Sequence, residues 1–177
     1  MSVQTSYNDA PAALFPGQLA DGATIRSEGT RSFVAETNVV CGRGVVVGAA
    51  NTSHHSAEPF QVKAPVAGSV LADFKGVLVR HEGARDLNRG VGVQSVGHFA
   101  DEMTSVLIKR GDGQRIGVLI TEAGVTAGDA VEMCVAPSGT LVEGDFHNAN
   151  IATKTIAITG ATWVFTASVG DVGVIEL

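Results

Sequence analysis

Five histidines, two cysteines and a handful of glycine-flanked side chains are the residues of this 177-residue chain whose types could do chemistry. Zinc chemistry needs two ligands from one turn, because a tetrahedral ion draws them at short spacing. His54 and His55 are adjacent, so on an extended chain they point to opposite faces, and His81, His98 and His147 stand alone. Cys41 and Cys134 are widely separated and sit among Val, Met and Gly, a setting that suits buried reduced thiols better than a disulfide framework. A serine nucleophile on a strained elbow wants glycine two residues to either side. Ser95 has Gly97 after it but Val93 before it. Gly42-Arg43-Gly44 runs on to Gly48, one residue too far for a dinucleotide fingerprint, and the residues after Gly44 read as a strand where a phosphate loop needs a helix. Asp101-Glu102 has no identifiable partner for acid and base work. Arg110-Gly111-Asp112 spells the tripeptide that integrins read, yet it lies where a tight turn is already expected. The chemistry-bearing residues therefore give no catalytic residue, no metal site and no cofactor, and the expectation is a protein that is not an enzyme.

The elements that carry these residues are β in character. Val45-Val46-Val47, Val77-Leu78-Val79, Val106-Leu107-Ile108, Val118-Leu119-Ile120, Val131 to Val135, Ile156 to Ile158 and Trp163 to Phe165 are short apolar runs bounded by Gly, Pro, Asp or Asn. Helical periodicity is confined to stretches near Pro11 to Leu14 and His98 to Met103, each too short for more than a turn or two. Asp112-Gly113 between two apolar runs predicts a hairpin across 109–114. Pro137-Ser138-Gly139 predicts a second, and Ala127-Gly128-Asp129 a turn feeding the Val131 strand. Trp163, inside an alternating run, is expected in the core. The fold class expected is all-β: a compact β-barrel or β-sandwich over 22–177, with irregular insertions near 51–65 and 81–101, preceded by an extended N-terminal arm over 1–21.

Composition narrows the function. Hydrophobic residues make up 45% and charged residues only 17%, so the surface is sparsely charged and suited to being covered by another chain. A net charge of −6 with no basic run excludes a phosphate-neutralising face; Arg80, Arg85 and Arg89 are interleaved with Glu82 and Asp86. No apolar stretch is long enough to span a membrane and no basic-then-apolar leader opens the chain, so synthesis in a cytosol is expected. Within the arm, Pro11 breaks any helix, and Tyr7, Leu14, Phe15 and Leu19 follow neither a strand nor a helix period. They must pack on something else, either the chain's own domain or a neighbour.

Both ends of the chain carry a resemblance. Ser6-Tyr7-Asn8-Asp9-Ala10-Pro11-Ala12-Ala13, followed by Phe15-Pro16-Gly17-Gln18-Leu19-Ala20-Asp21, resembles the amino-terminal arm of the structural cement (head decoration) proteins of tailed bacteriophages. Gly117-Val118, then Ala123 to Val131, Ser138-Gly139, Ile158 to Trp163 and Gly173-Val174, is similar to that family's carboxy-terminal motifs in order. The resemblance implies a β protein on the outer surface of an assembled phage head that bridges neighbouring major capsid protein subunits. It also implies self-association as a homodimer or homotrimer and synthesis in the host cytoplasm before assembly; the charge and hydropathy above add that no nucleic acid or membrane partner is expected. The interface residues expected, all in the arm, are Tyr7, Pro11, Leu14, Phe15 and Leu19. A carbohydrate- or receptor-binding β module on the virion surface is the alternative expectation.

Overall fold

The computed structural model describes residues 14–20, 29–52, 58–80, 85–87, 96–108 and 113–177. Its strands in chain order are β1 (Thr30–Val34), β2 (Val39–Val40), β3 (Gly44–Ala50), β4 (Phe60–Lys63), β5 (Phe74–Leu78), β6 (Arg85–Asp86), β7 (Val96–His98), β8 (Met103–Leu107), β9 (Arg115–Leu119), β10 (Ala130–Cys134), β11 (Phe146–His147), β12 (Thr155–Trp163) and β13 (Val172–Glu176). A single 3-10 turn, Leu71–Asp73, is the one helical element among the described residues. All strand pairings are antiparallel and form sheets in the orders β1-β8-β5-β3-β4, β11-β10-β12-β13-β9 and β2-β7-β6.

Side-chain alternation explains why two large sheets form. Strand residues point alternately to opposite faces, and an unbroken valine run therefore feeds two cores at once. Val46, Val77, Val79 and Leu107 face the second sheet, where Ile116, Val118, Met133, Phe146, Trp163 and Ile175 complete a shared core. Their neighbours Val45, Leu78 and Val106 face the other way, into a second core with Phe33, Ala35, Val39, Cys41 and Val62. The first sheet rolls around that second core. Ala35, just beyond β1, bridges Val62 of β4 in parallel sense, and Glu36 N–H donates to the Val62 carbonyl at 2.7 Å. The edge strands β1 and β4 thus meet, and the sheet becomes a small five-stranded barrel, which removes two of its exposed edges.

One turn design recurs through the chain. In Thr126–Asp129, Val142–Asp145, Ser168–Asp171, Val66–Ser69 and Phe15–Gln18 the fourth residue's N–H donates to the first residue's carbonyl. The fourth side chain accepts in return from the first residue's N–H, at 3.0 to 3.2 Å. The third residue is glycine each time, with φ between +80° and +92°, which a type II turn requires there. Both polar groups of the first residue are satisfied locally, so the following strand starts at a fixed place. Three of these turns lead directly into β10, β11 and β13.

The all-β reading holds, the turn before β10 lies where expected, and Ser138 and Leu141 form a tight hairpin by exchanging two backbone hydrogen bonds. The hairpin expected across 109–114 does not form. Its flanking strands belong to different sheets, since β8 is already paired on both sides by β1 and β5 while β9 pairs β13. Residues 109–112 lie outside the described residues. Within the stretches 51–65 and 81–101, regular structure is present as β4, β6 and β7. Ile156 to Ile158 and Trp163 to Phe165 are not two strands. Their first run and Trp163 belong to the single strand β12, whose register with β10 shifts between Ala130 and Glu132.

Candidate interaction surface

The described part of the arm is built around a Pro-Gly turn. Pro16 supplies the fixed φ of the second turn position, and Gly17 takes φ +80° at the third. From there the chain runs along the free edge of β9. Gly17 N–H donates to the Gly117 carbonyl at 2.7 Å, Gly117 N–H to the Gln18 carbonyl at 2.9 Å, and Ala20 N–H to the Arg115 carbonyl at 3.0 Å. Leu19 sits opposite Ile116 and packs partly buried on the main core. On its other side the Gly17 carbonyl accepts from Arg80 N–H at 2.8 Å. Arg80 follows β5 of the barrel and Gly117 belongs to the second sheet, so one residue of the arm ties the two sheets together.

That joint depends on two glycines in direct backbone contact. A Cβ on Gly17 would lie 2.9 Å from Gly42 N and from Cys41 Cβ, and a Cβ on Gly42 would lie 2.7 Å from Gly17 N. Both have positive φ. Gly42-Arg43-Gly44 is therefore a structural crossing point rather than a phosphate loop. Next to it, Arg43 Nε donates to buried Asp145 at 2.8 Å, and Asp145 also accepts from the Thr121 hydroxyl at 2.9 Å.

Of the five arm residues singled out from sequence, Leu14 is half-buried and Leu19 is held against the core. Phe15 is 57% exposed and lies under the Arg80 guanidinium, 4.8 Å from ring centroid to Cζ. Tyr7 and Pro11 lie outside the described residues, as do His54, His55, His81 and Ser95.

Periodicity did not single out a second apolar surface. Between β4 and β5 the run Ala64 to Ala72 carries no charged residue, and Val66, Val70 and Leu71 in it are 54%, 54% and 40% exposed. Two successive reciprocal turns, Val66–Ser69 and Val70–Asp73, hold it in shape. Nothing approaches Gly68 within 4 Å of where its Cβ would be, so the tip stands clear of the body. We call this element the knuckle. Phe165 and Val169, 59% and 55% exposed, form a similar projection before β13. The sequence signal for both was available: a glycine turn closed by Ser or Asp, inside a stretch without charge.

The chemistry-bearing side chains are placed structurally. His98 is buried on β7 and His147 on β11, in different sheets. No group of three or more His, Cys, Asp or Glu that could hold a metal exists among the described residues. Both cysteines are free and buried, and burial pushes the Cys41 thiol up to about 11 and raises that of Cys134. Trp163 is buried in the main core, as expected.

The family model described as "Structural cement protein (E217 gp24/Pam3 gp6)" matches residues 3–177. No curated protein matches the chain significantly. A chain from the solved structure "The capsid of Myoviridae Phage XM1" shares the fold, with a TM-score of 0.55 and 14% identity, covering 99% of this chain and 97% of that one.

Proposed function

This chain belongs to the structural cement protein family, whose role is to stabilise a capsid, and on that premise we propose that it binds the outer surface of an assembled phage head and bridges neighbouring major capsid subunits. The observation that carries this reading is the knuckle: an uncharged, apolar element, held rigid by two reciprocal turns and exposed in the single chain. A rigid apolar projection loses little entropy when covered, and its desolvation supplies the association energy. Phe165 and Val169 extend the apolar contact, and the arm adds a second adhesive element. Leu19 fastens the arm to the body, while Tyr7, Pro11, Leu14 and Phe15 form the part offered to a neighbour. In this reading the chain associates with itself as a dimer or trimer, has no catalytic role, and each multimer engages several capsid subunits. Many weak contacts then act together through effective concentration.

A protein that binds only the assembled shell stabilises it by mass action. Purified chain mixed with undecorated heads is expected to bind saturably and to raise the temperature at which DNA is released. Heads that take up no protein, or that take it up and release DNA at the undecorated temperature, would overturn the proposal.

A further inference from the structure

The chain's charge is divided unevenly along its length. Residues 116–177 hold seven Asp or Glu and one lysine, Lys154, and so carry the whole net charge of −6. Residues 1–115 hold eleven acidic and eleven basic residues and balance. The acidic part is the second sheet with its connections, since β9 to β13 all lie within Arg115 to Glu176.

At one end of that sheet the connections before β10 and before β13 join into one lobe. Val125 and Ala167 exchange backbone hydrogen bonds at 2.9 and 3.0 Å, and Ala127 N–H donates to the Thr166 hydroxyl at 3.2 Å. Each connection ends in a reciprocal turn, Thr126–Asp129 and Ser168–Asp171. Nothing approaches Gly128 or Gly170 within 4 Å of where a Cβ would be, so both turns stand clear of the body. Phe165 and Val169, 59% and 55% exposed, are the lobe's exposed apolar side chains. Its charges are Glu122, Asp129 and Asp171, none of which has an ion-pair partner among the described residues. Hydrogen bonds from Asn148 and from Thr126 N–H hold Asp129 below the usual carboxylate range. Lys154 lies before β12 and Phe165 after it, so that nine-residue strand separates the one cation of this half from the lobe.

The two kinds of side chain ask for different things from a cover. Phe165 and Val169 gain free energy when apolar surface closes over them, whereas carboxylates resist losing water unless a cation meets them. We propose that the lobe docks on a capsid surface that places lysine or arginine side chains around an apolar pocket, with Phe165 and Val169 in the pocket and Glu122, Asp129 and Asp171 facing the cations. This rests on the proposed capsid role and names the chemistry of the surface met there. Charge selects against other occupants, since nucleic acid and anionic surfaces are repelled. A second copy that offers its own lobe sets three carboxylates against three, and the balanced remainder of the chain has no excess of cations to offer. The acidic rim governs the rate of arrival, and the covered apolar pair the rate of departure.

The test measures association and dissociation rates of the full-length chain on undecorated heads at about 0.01 M and about 1 M salt, where charges act over roughly 30 Å and 3 Å. The unmodified chain is expected to associate about tenfold faster or more at low salt. In a Glu122→Gln, Asp129→Asn, Asp171→Asn chain the amide oxygens keep the turn hydrogen bonds from Thr126 and Ser168. This variant is expected to lose the low-salt advantage and to match the unmodified chain at high salt. A Phe165→Ala, Val169→Ala chain is expected to dissociate about tenfold faster or more, with its salt dependence unchanged. Association of the unmodified chain that is indifferent to salt, or that quickens with it, overturns the inference without recourse to any variant. Variants that bind heads as the unmodified chain does also overturn it. So does a Phe165→Ala, Val169→Ala chain that loses self-association, by mass in solution, while holding heads normally, because the occupant is then a second copy. These outcomes leave the capsid role standing, whereas heads that take up no unmodified chain at either salt sink that role and the inference with it.

Discussion

At the scale of single residues, buried polar groups join one element to another. Asp145 connects Arg43, before β3, with Thr121, after β9, and so ties barrel to second sheet. His147 is the informative titrating group. Burial holds its pKa below the ordinary imidazole value, against the opposing influence of Glu132, Glu122 and Asp145. Glu132 lies opposite His147 in the β10–β11 register, and neither Glu132 Oε2 nor His147 Nε2 has a hydrogen-bond partner among the described residues. His147 Nδ1 accepts from Ala149 N–H at 3.3 Å, so the ring is neutral with its proton on Nε2. Because its folded pKa lies below its unfolded one, the unfolded chain binds the extra proton more readily. Stability from this residue is complete above the ordinary histidine range of about 6.5 and falls as pH drops through it. The denaturant midpoint is expected to fall between pH 7.5 and pH 5, and His147→Gln to reduce that fall. An equal fall in both proteins would remove His147 as its source.

At the scale of elements, the arm root shows what the sequence could and could not reveal. Strand runs were legible because β-branched residues between glycines have few other solutions, and the valine triplets placed residues in two cores through simple alternation. Pairing was not legible. Asp112-Gly113 is good hairpin chemistry, but whether β8 and β9 pair depends on which neighbours β1, β5 and β13 have already taken, and that information is nonlocal. The contact of Gly17 with Gly42 is nonlocal in the same way, since neither glycine announces its partner. Its physical consequence is direct. Gly17→Val places a branched side chain at φ +80° and 2.9 Å from backbone and Cβ atoms that cannot move aside. Strain of this kind costs about 1–3 kcal/mol. The expected outcome is release of residues 14–20 from β9: faster amide exchange at Gly117 and Ala20, faster proteolysis within the arm, and a lower unfolding midpoint. Unchanged exchange at Gly117 would mean that the arm's seat does not depend on this glycine.

On the scale of the whole molecule, the proposed adhesive surface lies apart from the two cores, and this separation can be tested. The two cores lie inside and between the large sheets, whereas Val66, Val70 and Leu71 project from the link between β4 and β5 and belong to neither core. Replacing exposed side chains away from a core changes stability by about 0.5 kcal/mol or less. Covering the same side chains with a capsid subunit, at roughly 25 cal/mol per Å² of apolar area, puts them among the larger contributors to docking. A Val66→Asp, Leu71→Asp chain is therefore expected to unfold at nearly the same temperature as the unmodified chain. Its carboxylates must be desolvated at every contact, and under the proposed binding through several copies the penalties multiply. Copies bound per head at a fixed concentration should fall about tenfold or more. Calorimetry of the free protein and a count of protein per purified head measure the two quantities separately. A variant that unfolds early would place the knuckle in the fold's own support, and one that decorates heads normally would move the docking face to Phe165, Val169 and the arm.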